Sequence, residues 1–261
     1  MGNEIWHFTN DFTKLSAEEV LKNLIDDDRR NYDRAVLELS EDIKLLDNAI
    51  TLYIESLQAA YMLIDKWKNN HSNRAAISML ISTLNYILLA RHGILMGYFP
   101  EVRDLLRSCY ERILRCYLFF YNEEFAIKFL AGETIKQYQV DKELSKLEKD
   151  PDKRNGLHTD LRKYYAFMAG VAHPNLKSFD ARYGVQNLGE RVGKEYIIGG
   201  MMSAELGHVT IIRILQSVLS ALRILGVILH EQSGSWDKKY QQINARCNEM
   251  VDNLQNNRGV A

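Results

Sequence analysis

An all-α fold, a single helical bundle of about seven helices, is the architecture this sequence predicts, and three observations predict it. Only three prolines occur in 261 residues, and each stands where a helix should begin or end. Between them, apolar residues recur at intervals of three and four, the period of an amphipathic helix. Hydrophobic residues make up 46% of the chain, enough for one large core without disulfides or structural metal. One domain spanning 1–261 follows.

Ser16 and Glu19 have capping-box spacing, so a helix starts near Ala17 and residues 1–15 form an N-terminal extension. The charged run DDDRRNY, 26–32, is expected to bend it. From Tyr32 to Lys68 the series Val36, Leu39, Ile43, Leu46, Ile50, Tyr53 and Leu57 predicts one long helix, ended by NNHSN. A second long helix runs from about Arg74 to Gly97. GYFPEV then turns the chain into a third, with Pro100 at a helix start where its missing N–H is harmless, and the two should lie antiparallel. Residues 133–156 are charged and poorly apolar, which predicts a protruding arm or lid. LHTDLRKYYAFMAGVAHPN should be a helix that stops before Pro174. Residues 176–200 hold five of the fifteen glycines and read as the longest irregular loop. Two helices, about 201–232 and 235–256, close the chain.

Thirty-three basic side chains balance thirty-four acidic ones, for a formal charge of −1. No global field therefore draws this chain to nucleic acid or an anionic membrane. Cys109, Cys116 and Cys247 fall in helical segments without metal or redox spacing, which suits a reducing, cytoplasmic setting. The N-terminus lacks the basic and apolar regions of a secretory signal. The apolar run from His208 is divided by Arg213 and Arg223, too closely for a membrane span, and is expected to be a central packed helix. No phosphate loop, dinucleotide fingerprint or zinc motif is present, so no cofactor or metal is expected.

The candidate chemistry lies in three places. In LLRSCYERILRCYLFF, 105–120, helical geometry puts Leu105, Leu106, Cys109, Tyr110, Ile113, Leu114, Cys116 and Tyr117 on one half. Asp104, Arg107, Ser108, Glu111, Arg112 and Arg115 take the other. Two readings stay open: a solvated flank with i,i+4 ion pairs, or a flank covered by a further helix, since Leu118 and Phe119 continue onto it. Arg162 and His173 share a face of their helix with Ala166 and Ala169. His173 there is either an acid–base group or a helix-end residue meeting free carbonyls. Glu205 and His208 form an E-x-x-H pair, but a di-metal site needs a second helical copy, and Glu4 with His7 lacks a helical pattern. Finally, the helix from Met201 to about Gln232 is apolar round most of its circumference. It must be covered by neighbours or by a second copy, and a homodimer through it or its neighbour is expected.

The stretches GYFPEVRDLLRSCYERILRCYLFF and LRKYYAFMAGVAHPN resemble a bacterial all-helical family of unknown function, over roughly residues 75–180. The matching positions are Arg107, Ser108 and Glu111, then Tyr164 or Tyr165, and His173 with Pro174. Such domains are similar in outline to the HEPN superfamily, whose active members are metal-independent ribonucleases in toxin and phage-defence systems. Active members have four to six residues between an Arg and the His that follows it, whereas Arg154 and His158 here have only three between them. The resemblance implies a HEPN-like fold or a defence context, and hence a non-catalytic interaction or regulatory protein with a protein partner. The alternative is a ribonuclease or toxin acting on RNA through Arg107, Glu111 and His173, with Arg162, Ser108, Tyr164 and Tyr165 as the surrounding polar cluster.

Overall fold

The computed structural model describes residues 16–149, 204–229 and 234–258. Its elements are α1 (Ala17–Glu38), α2 (Ser40–Met62), a single 3₁₀ turn (Ile64–Trp67), α3 (His71–Leu95), α4 (Phe99–Tyr121), α5 (Glu123–Leu130), α6 (Gln137–Glu148), α7 (Ala204–Ile228) and α8 (Gly234–Arg258). Among the described residues the fold is all helical.

The start of α1 is the expected capping box. Glu19 N–H donates to Ser16 Oγ at 3.3 Å, while Glu19 Oε2 accepts from Ser16 N–H at 2.8 Å. The helix does not bend at DDDRRNY. It runs through that segment and kinks at Leu39, whose φ of −117° and ψ of 19° lie off the helical values. The single helix expected over 32–68 is therefore two. The hydrogen-bond ladder survives on both sides, Leu39 N–H to Ala35 O and Ile43 N–H to Leu39 O. Packing explains the kink: Leu39 is buried and its Cδ1 lies 2.4 Å from where a Cβ on Gly207 of α7 would stand. A side chain at position 207 would force Leu39 to shift. One consequence of the kink is that Val36, read as part of the same buried series, is exposed.

α3 and α4 are antiparallel, as expected. Ser72 Oγ donates to Phe119 O at 2.6 Å near one end of the pair, Arg112 Nε to Ser82 Oγ at 3.1 Å near its middle, and Gly93 faces Val102 at the other end. The reversal is made by a Schellman motif, with Gly97 at φ 77°, Gly97 N–H on Ile94 O and Tyr98 N–H on Gly93 O. The left-handed conformation at position 97 needs glycine.

α7 is the central helix, in contact with α1, α2, α3, α4 and α8. Its residues Ile211, Ile214, Leu215, Val218, Leu222 and Leu225 are fully enclosed or nearly so. Its polar residues are used for fastening: Ser217 and Ser220 donate to carbonyls of their own helix, Tyr110 of α4 donates to Arg213 O, and Arg223 Nε donates to the Tyr240 hydroxyl of α8 at 2.8 Å. The chain itself thus supplies the cover for which a second copy was the other expected source. By length and composition α3 and α7 could each cross a membrane, and most of that stretch of α7 is buried inside the bundle.

Of the segment expected as a charged arm, α6 is described. Val140 and Leu144, one turn apart on its inner side, are fully buried where α6 packs on α4. The segments expected as a loop over 176–200, as a helix carrying Arg162, Tyr164, Tyr165 and His173, and as an N-terminal extension with Glu4 and His7 lie outside the described residues.

Candidate functional site

The flank of α4 is where the sequence concentrates its candidate chemistry. The apolar half is as expected: Leu106, Cys109, Tyr110, Ile113, Leu114, Cys116 and Tyr117 are buried. The opposite half is neither wet nor sealed. Arg107, Glu111 and Arg115 retain 28%, 23% and 16% side-chain exposure, and Leu118 and Phe119 are completely covered. The covering reading is the better description, because α5 and α6 lie against α4 and Phe129 of α5 packs its ring 5.3 Å from that of Phe119.

Glu111 sits between two guanidinium groups. Arg107 Nε donates to Glu111 Oε1 at 3.2 Å, and Arg115 Nη1 lies 3.8 Å from Glu111 Oε2. Arg115 also reaches the carbonyl of Ile135, just before α6, at 3.5 Å. Arg112 turns the other way. It donates to Ser82 Oγ and to the carbonyl of Ser108, and its guanidinium stands 4.0 Å over the Tyr86 ring, a cation–π contact with α3. At the start of the same flank, burial pulls the Arg103 guanidinium below its ordinary pKa.

Chemically, this arrangement orients cations and a carboxylate across a helix junction. With both of its oxygens turned toward arginines of its own helix, the Glu111 carboxylate is placed as an anchor. The thiols are not nucleophiles. Burial pushes Cys109 up to about 12 and Cys247 up to about 11, and Cys116, which is fully enclosed, rises as well. Low-pKa thiolates belong to the opposite environment.

The other sequence candidate, His208, has a structural partner: its Nδ1 bonds Asp42 Oδ2 of α2, while Glu205 is exposed. Among the described residues no three His, Cys, Asp or Glu side chains converge. Elsewhere, a half-open groove of about 320 Å³ runs between α2 and α8 past Leu45, Leu52 and Ile243, beside the exposed Lys239–Glu55 ion pair. Of the sequence-named cluster, then, Arg107, Ser108 and Glu111 stand together on α4, while their proposed companions lie outside the described residues. No family model, curated protein or solved structure matches this chain.

Proposed function

We propose that this chain is a non-catalytic helical interaction or regulatory protein. The observation that supports this reading is the state of the α4 flank. Glu111, the carboxylate an enzyme would need, is clamped by Arg107 and Arg115, and the neighbouring Arg112 is engaged with α3. These contacts tie α4 to its neighbours and leave the polar residues as fasteners.

The competing ribonuclease reading is tested by incubating the full chain with single-stranded and hairpin RNA and following the fragments. No cleavage above that of a Glu111→Gln, His173→Ala double variant is expected. Cleavage by the wild type that disappears in that folded variant would replace the interaction reading with an enzymatic one.

A further inference from the structure

We propose that two copies of this chain associate through α1, packed antiparallel about a two-fold axis centred between Asp28 and Arg29. This deepens the interaction reading by naming a partner and a surface. Leu21, Ile25, Tyr32 and Val36 are 59%, 55%, 42% and 44% exposed, and at about 100° per residue they fall within roughly 60° of arc. They make one apolar stripe along four turns of helix. The body of the chain holds the adjacent face instead, where Ala35 is buried, Asn31 Nδ2 donates to Met96 O, and Asp28 accepts from the Tyr98 hydroxyl.

The occupant is argued from symmetry. The four stripe residues are separated by four, seven and four positions, a spacing that reads identically in both directions. An antiparallel second copy therefore sets Leu21 against Val36 and Ile25 against Tyr32. The charges along one edge of the stripe repeat the pattern: Lys22, Asp26, Arg29 and Asp33 alternate in sign. In an antiparallel pair the same edge meets itself, so Lys22 comes within a turn of Asp33 of the second copy and Asp26 within a turn of Arg29, two positions from the level of the apolar pairs. None of the four is ion-paired within the chain among the described residues. A different protein would have no need of a self-complementary spacing, and a C₂ contact requires one. A one-helix contact falls at the small end of specific interfaces, near about 1,200 Å² in total, so a dimer that forms at micromolar concentration is expected.

Light scattering during size exclusion of the full chain measures the mass directly. The wild type should run as a dimer at high micromolar concentration. Ile25→Glu should give a monomer with unchanged circular dichroism, because this side chain supports no core. Arg29→Asp, which turns two attractions per dimer into repulsions, should raise the dissociation constant about tenfold. Combining it with Asp26→Arg should restore the wild-type value. A wild type that stays monomeric, or a dimer indifferent to Ile25→Glu, would overturn the proposal. So would a double reversal that fails to rescue Arg29→Asp, provided that circular dichroism shows the variants folded.

Discussion

α7 and α1 both carry long apolar series, and the bundle treats them in opposite ways. α7 is enclosed on nearly every side, and even its serines and arginines are absorbed into contacts with its own backbone, α4 and α8. α1 buries only Asn31 and Ala35 and leaves a coherent apolar stripe in solvent. An apolar periodicity therefore marks a surface that will be covered. It does not say whether the cover comes from the same chain. On α7 the answer is internal, and on α1 we look for it in another molecule.

The sharpest way to break this contrast is a charge on each helix. Leu219 of α7 is buried, so Leu219→Glu places a carboxylate in the core without a partner, a penalty of several kcal/mol on top of the lost apolar burial. Against a total stability of about 5–15 kcal/mol, the variant should not fold, and circular dichroism should show it. Leu21→Glu on the α1 stripe should remain folded. Equal damage from the two would erase the distinction.

Alkaline pH strikes the enclosed region. Cys109 is pushed from an ordinary 9.0 to about 12 by burial, and Cys116 moves the same way. The folded state thus holds these protons more tightly than the unfolded state. Their contribution is intact below about pH 9 and drains away as pH rises toward the folded values, by about 1.4 kcal/mol per pH unit for each thiol. Denaturant midpoints at pH 8 and pH 10 should therefore fall in the wild type. The fall should shrink in a Cys109→Ala, Cys116→Ala variant once its own lower starting stability is subtracted. A pH response unchanged by the double substitution would show that other groups carry it.

How much of this was legible beforehand can be argued from particular residues. The capping box at Ser16, the turn at Gly97 and the enclosure of α7 depend on local chemistry and period, which one sequence displays. The kink at Leu39 was not legible, because the residue against which Leu39 packs there, Gly207, is distant in sequence. The state of Glu111 was half legible. Helical geometry assigned it to a polar flank, but the cover comes from α5 and α6, and which helix these pack against is a matter of tertiary contact. Phe125 with Phe129 on α5 and Val140 with Leu144 on α6, each pair one turn apart, show that both helices have a packing face without naming its partner. Arg162, Tyr164, Tyr165 and His173 lie outside the described residues, so their part in the cluster rests on the sequence.

The junction between the two regimes is sharpened by Glu111→Ala. An exposed pair contributes under about 1 kcal/mol and a broken buried pair about 3–5. With two arginines half-covered beside it, this carboxylate should register between them, at about 2 kcal/mol by denaturant titration. A value below 1 would mean that the arginines simply swing into water and that α6 contributes little cover.

The smallest effect belongs to the free end of α1. Ser16→Ala removes the hydroxyl that accepts from Glu19 N–H, while the backbone N–H of residue 16 still donates to the Glu19 carboxylate, a loss of about 1 kcal/mol for an N-cap. Where that loss appears depends on cooperativity. From Ala17 to Arg30 no α1 side chain is fully buried, so these turns can open without disturbing the core, and a sub-global opening samples only local stability. Global unfolding should therefore move hardly at all, while amide exchange over the first turns of α1 should quicken about fivefold in the monomer. If the second copy clamps this helix, raising the protein concentration should suppress the exchange of these same amides in the wild type. A global midpoint that falls by the full amount would show instead that the start of α1 unfolds together with the core, and that the helix is no separate, recruitable surface.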